Sequence, residues 1–214
     1  MINFIIVSDD RDDNLGVYFN DCKNQILGLL EELKESLEGS INEISGNQCN
    51  SAYIDLKVPT YHPNPFIFIA YSHGNEYALC SQEDNYVEKG ANTQHFTNSL
   101  FYTTACSAGK ELGPHLVEQG CLAFVGYENE INAYKKDEQK EISKNCDNAG
   151  IVSFLSEDIT IYESYKRMKN YYTQQIDRLE DVKDMMFAMN LIQARESLVC
   201  LGDKNLKKED FFVA

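Results

Sequence analysis

The sequence predicts an α/β protein: a doubly wound, mainly parallel sheet of six short strands, flanked by helices. Three observations carry that prediction. Short apolar runs recur along the chain and stop at polar residues or glycine, the pattern of strands buried on both faces. Between them lie segments whose apolar residues repeat at helical spacing. Alternation of the two favours parallel pairing, because each crossover helix covers a face of the sheet.

The elements follow in order. Ile2 to Val7 is the first strand, an apolar run ending at Ser8-Asp9-Asp10. Tyr18 to Leu37 carries Ile26, Leu29, Leu30, Leu33 and Leu37 at helical spacing and closes at Gly39. Ala52 to Val58 alternates apolar and polar residues up to Pro59, which predicts a strand. Phe66 to Tyr71 is the strongest strand and runs into Ser72-His73-Gly74. The polar residues 75–97 predict a loop with a short hairpin. Leu100 to Thr104 predicts a strand ending at Ala105-Cys106, Lys110 to Gln119 a short helix, and Cys121 to Gly126 the next strand. Residues 127–148 are highly charged and predict a surface loop. Residues 150–192 are helical, with Ile151, Phe154, Leu155, Ile176, Leu179, Met186 and Met189 among the apolar positions, and Leu198 to Leu201 is the last strand.

The chain has 214 residues, enough for one domain, residues 1–214, with a sizeable core. Its 34 acidic and 19 basic residues give a formal charge of −15. That balance excludes sequence-independent nucleic-acid binding as a main role, because it needs clustered Lys and Arg, and disfavours anionic membranes. Basic substrates or partners remain open, and solubility alone would also account for the charge. The seven cysteines are odd in number and scattered, with no C-x-x-C, so neither a disulfide framework nor a structural zinc site is expected. No signal peptide or apolar stretch of about 20 residues appears, and a reducing cytoplasm is the expected compartment.

In open α/β sheets the site lies outside the carboxyl ends of the strands. Those ends present Asp9 and Asp10, then Ser72-His73-Gly74, then Thr104 and Cys106, then Glu128 and Glu130. If the strands before His73 and Cys106 are neighbours, both side chains emerge from one sheet edge. An imidazole beside a thiol makes it a nucleophile at neutral pH, because the thiolate is the reactive form. Gly74 lets a substrate backbone approach closely. The N–H groups of Gly74 and Cys106 are candidate oxyanion donors.

At these residues the chain resembles a known family. An apolar strand followed by His-Gly (Phe66 to Gly74), then an apolar strand followed by Ala-Cys (Leu100 to Cys106), is similar to the caspase-like cysteine peptidases of clan CD. The turn TTACSAG at 103–109, the strand GCLAFVGY at 120–127 and the closing LVCLGDKNL at 198–206 resemble the gingipain and CHAT branch most. The resemblance implies a caspase-like fold and a cysteine endopeptidase with a His73–Cys106 dyad, and needs no third acidic member, cofactor or metal. It implies that Asp9 or Asp10, Thr104, and Glu128 or Glu130 occupy the places that select the residue before the scissile bond. Caspases carry arginines and a glutamine there for aspartate. The carboxylates here suit Arg or Lys instead.

By family analogy the setting is regulated proteolysis of a protein partner, as in bacterial defence or cell death, with any sensor a separate protein. The alternative is a non-catalytic caspase-like module that scaffolds a signalling assembly. Other motifs fail. A receiver domain needs an aspartate after its third strand, where Ser72-His73 stands, and a tyrosine-phosphatase loop needs an arginine where Leu112 stands. A cation at Asp9, Asp10, Asp12 and Asp13 competes with the simpler reading of a solvated acidic loop. Walker and H-E-x-x-H motifs are absent.

Overall fold

A computed structural model describes residues 1–35, 37–82, 84–132, 136–182 and 184–213, with the backbone alone at 180–182. Its centre is a six-stranded sheet. The strands are β1 (Ile2–Ser8), β2 (Gly39–Ser45), β3 (Phe66–Tyr71), and after a small antiparallel sheet of β4 (His73–Gly74), β5 (Ala78–Cys80) and β6 (Asn85–Glu88), then β7 (Ser99–Thr103), β8 (Ala123–Tyr127) and β9 (Leu198–Gly202). The order is β2-β1-β3-β7-β8-β9. All neighbours are parallel except β9, which runs antiparallel to β8. The α/β class and the mostly parallel six-stranded sheet match the sequence reading. The hairpin expected within 75–97 is β5 and β6.

Helices cover both faces of this sheet. On one face α1 (Gly16–Glu32), α4 (Asp137–Ser156), α5 (Ile161–Val182) and α6 (Met185–Ser197) pack over Phe4, Ile6, Ile67, Ile69, Leu100 and Val125. On the other, α2 (Ser51–Lys57), α3 (Leu112–Glu118) and the small sheet pack over Ile5, Val7, Phe66, Phe68, Phe101 and Phe124. The alternation along each strand delivers its residues to the two cores in turn.

Four readings need correction. Ala52 to Val58 is not a strand. The Asn50 side chain accepts the Tyr53 N–H at 2.9 Å, a cap that starts α2. Ile54 and Val58 are then buried one helical turn apart while Leu56 faces out. The strand belongs instead to Gly39–Ser45, so Gly39 opens β2 rather than closing a helix. As the edge strand, β2 buries only Ile44 and shows no alternation to find.

The charged stretch 127–148 is only partly a loop. Tyr127 ends β8, and from Asp137 onward it is α4, whose buried face carries Ser143, Asp147 and Asn148 beside Cys146 and Ile151. Residues 133–135 of that stretch lie outside the described residues. Met186 and Met189 are exposed rather than inward. No helix among the described residues is long and apolar enough to cross a membrane.

Candidate active site

β3 and β7 are parallel neighbours, with Ala70 beside Thr103, so their carboxyl ends open side by side. Past those ends the two chains stay together. The Thr104 N–H donates to the Ala70 carbonyl at 3.2 Å, and a side chain on Gly74 would press to 2.7 Å from the Ala105 Cβ. Only glycine fits there. In the β4–β5 ladder the Asn75–Ala78 pair is hydrogen-bonded. Bonded and non-bonded pairs alternate in antiparallel ladders, so Gly74, opposite Leu79, turns its N–H away from β5.

His73 and Cys106 line one cleft, together with Thr104, Ile131 and Asp147. His73 is fixed from two directions. Its Nε2 lies 3.2 Å from Asp12 Oδ2, and the Phe19 ring meets it edge-on at 5.4 Å. Asp12 has a second task, since its Oδ1 accepts the N–H groups of Leu15 at 2.6 Å and Asn14 at 2.9 Å at the entrance to α1. Burial pushes the Asp12 carboxyl up, but those N–H groups and His73 outweigh it, and the carboxyl sits below its ordinary value. An ionised Asp12 leaves Nδ1 of His73 as the nitrogen free for proton exchange. The sequence signal for Asp12 is an acidic residue just ahead of an apolar helix, and three neighbouring aspartates, Asp9, Asp10 and Asp13, mask it.

Cys106 opens the tight turn after β7, and Ser107 beside it takes a left-handed backbone, φ 59°. The turn is pinned by the Ser107 N–H to the Asn129 carbonyl at 3.1 Å and the Gly109 N–H to the Tyr127 carbonyl at 2.7 Å. The Cys106 sulfur accepts the Ile131 N–H at 3.4 Å and lies 3.7 Å from the Ile131 carbonyl, to which the thiol donates. Burial pushes this thiol above its ordinary value; the Ile131 N–H counters only part of that, and the Glu130 charge adds to it.

At the cleft floor stands a carboxylate absent from the candidate set. Asp147 accepts the hydroxyls of Tyr18 (2.6 Å), Tyr127 (2.6 Å) and Tyr172 (2.8 Å). Burial pushes Asp147 up and the three hydroxyls oppose it, with a net rise. It sits among the charged residues of α4, where nothing in the sequence marks it as inward-facing. Thr104, which was in the candidate set, lines the same cleft, and its buried Oγ1 has no hydrogen-bond partner among the described residues.

The other four candidates do not line this cleft, although the Asp9 and Glu130 charges interact with His73 and Cys106 respectively. Asp9 is buried beside Arg11, Cys49 and Gln82 in a smaller pocket. Asp10 accepts the Gly46 N–H at 2.9 Å. Glu128 and Glu130 are exposed. Among the described residues no group of three His, Cys, Asp or Glu side chains is placed to hold a metal ion. Neither a family model nor any curated protein sequence matches the chain.

Proposed function

We propose that this protein is a caspase-like cysteine endopeptidase that cleaves a protein partner after Arg or Lys. One observation carries the reading: an Asp12-oriented His73 and Cys106 wall the same cleft, at the carboxyl ends of adjacent parallel strands. In the proposed reaction His73 takes the Cys106 proton and the thiolate attacks the scissile carbonyl carbon. The oxyanion that forms faces the N–H groups of Gly74 and Cys106. His73 returns its proton to the leaving amine as the C–N bond breaks. Water, deprotonated by His73, then hydrolyses the thioester and frees Cys106. Asp147 is the carboxylate in reach of a long cationic side chain entering the cleft, with Thr104 Oγ1 as a further acceptor.

A second reading, a non-catalytic scaffold of the same architecture, is favoured by the raised and covered Cys106 thiol. A peptide library incubated with wild type and with Cys106→Ala separates the two. Cleavage after Arg or Lys, lost in Cys106→Ala, is the expected result. Cleavage that survives the substitution overturns the nucleophile assignment, and cleavage after aspartate overturns the basic specificity.

A further inference from the structure

We infer that residues 128–132 are an inhibitory strap over Cys106, latched in place by α6. The inference rests on the peptidase reading and concerns the regulation of that site.

The strap leaves the sheet at the end of β8. Its root is firm: the Glu128 N–H donates to the Ser197 carbonyl at 2.8 Å, and the Asn129 carbonyl accepts the Ser107 N–H. Beyond Asn129 the chain crosses the nucleophile. Ile131 places its backbone N–H 3.4 Å from the sulfur and its carbonyl 3.7 Å from it. An attacked carbonyl must come within about 3–3.5 Å of the nucleophile. One residue of the protein's own backbone lies against the sulfur, in the space a substrate carbonyl would have to enter, and its N–H and carbonyl oxygen engage both the lone pair and the proton of the thiol.

What holds this segment down is slight. Glu130 and Asn132 are exposed, and Ile131 is half-buried. The latch is made of side-chain amides. Gln193 Nε2 donates to the Glu130 carbonyl at 3.2 Å, and Asn132 Nδ2 donates to Asn190 Oδ1 at 3.1 Å and Gln193 Oε1 at 3.3 Å. Gln193 therefore grips the strap on both sides of Ile131. Neutral hydrogen bonds between exposed groups are individually weak in net terms. A covering element built only for stability would bury more than one apolar side chain; this one is built to be released.

The test is the alkylation rate of Cys106 by iodoacetamide in the full chain, site by site, by mass spectrometry. Cys80 and Cys200 are likewise neither fully buried nor disulfide-bonded, and serve as internal references. The double variant Asn132→Ala/Gln193→Ala removes the latch from the surface and should raise the Cys106 rate about tenfold with Cys80 and Cys200 unchanged. Gln193→Ala alone, which leaves the Asn132–Asn190 contact in place, should give a smaller rise. A Cys106 rate unchanged across the series overturns the strap, and so does a rise shared by all three cysteines, which reports general loosening. Peptide hydrolysis is followed in parallel. Faster alkylation with hydrolysis no higher than in Cys106→Ala upholds the strap and fails the peptidase reading. Wild-type hydrolysis that is lost in Cys106→Ala and already equals that of the double variant upholds the peptidase and overturns the strap.

Discussion

On one face of the main sheet Phe68, Phe96 and Phe101 lie with ring centroids 4.7–5.1 Å apart, and Phe124 extends the stack from Phe101 at 5.7 Å. On the other face the same strands end in tyrosines. Tyr71 donates to Asn148 Oδ1 at 2.7 Å, Tyr102 to the Asp147 carbonyl at 2.5 Å, and Tyr127 to the Asp147 carboxylate. The four phenyl rings have no polar tip to place, so their packing depends on shape and area; the one fully buried tyrosine hydroxyl described on that face, Tyr86, is met by Ser72 Oγ at 2.6 Å. The tyrosine face gives up some of that freedom, because each buried hydroxyl needs a partner. In exchange it fixes a carboxylate at the floor of the cleft. Cohesion and chemistry are thus divided between the two sides of one sheet.

Three substitutions probe that division. The largest expected effect is on the phenyl face. Phe101→Ala should cost about 3–5 kcal/mol of stability in urea or thermal unfolding, from lost burial and the cavity left behind. The Cys106 alkylation rate should stay at its wild-type value in the folded protein. A changed rate would show that the two faces are not independent.

Asp147→Asn should reverse the pattern. Hydrolysis after Arg or Lys should fall about 10–100-fold in kcat/KM, the weight of one charge-assisted contact, while the fold survives. The same variant gives a pH signature. Burial raises the Asp147 carboxyl above its ordinary value of 3.8, so the folded state holds that proton more tightly. Its stabilising contribution is complete below 3.8 and is lost as pH rises through the folded-state value. The stability of wild type relative to Asp147→Asn should therefore decline from about pH 4 upward and then level off. A flat difference between urea midpoints over that range would contradict the assignment. The smallest effect belongs to Tyr172→Phe. It removes one of the three hydroxyls on Asp147 and should cost about 1 kcal/mol.

The same division explains what the sequence could reveal. β1, β3, β7 and β8 were legible because they are apolar on both faces, and so were the strand ends that carry His73 and Cys106. β2 was hidden because an edge strand buries one side chain. The first half of α4 was hidden because its inward face is Ser143, Asp147 and Asn148, polar residues satisfied by partners more than a hundred positions away in the case of Tyr18 and Gln25. Hydrophobic periodicity cannot see a buried face whose partners are hydroxyls and amides. Asp147 was missed as a site residue for the same reason, and Asp12 because its geometry, not its acidity, sets it apart from Asp9, Asp10 and Asp13.

The tyrosine face is covered by α1 from the first part of the chain and by α4, α5 and α6 from the last. The ribosome makes the protein in one direction, and this sets a timetable. His73 and Cys106 leave it early, on strands that can already pair. The cleft floor, Asp147, follows 41 residues after Cys106, and Gln193 of the latch comes later still. On the proposed peptidase reading, a nascent chain would carry Cys106 for a long interval before Asp147 and Gln193 exist, and it would gain the floor and the latch on the last three helices.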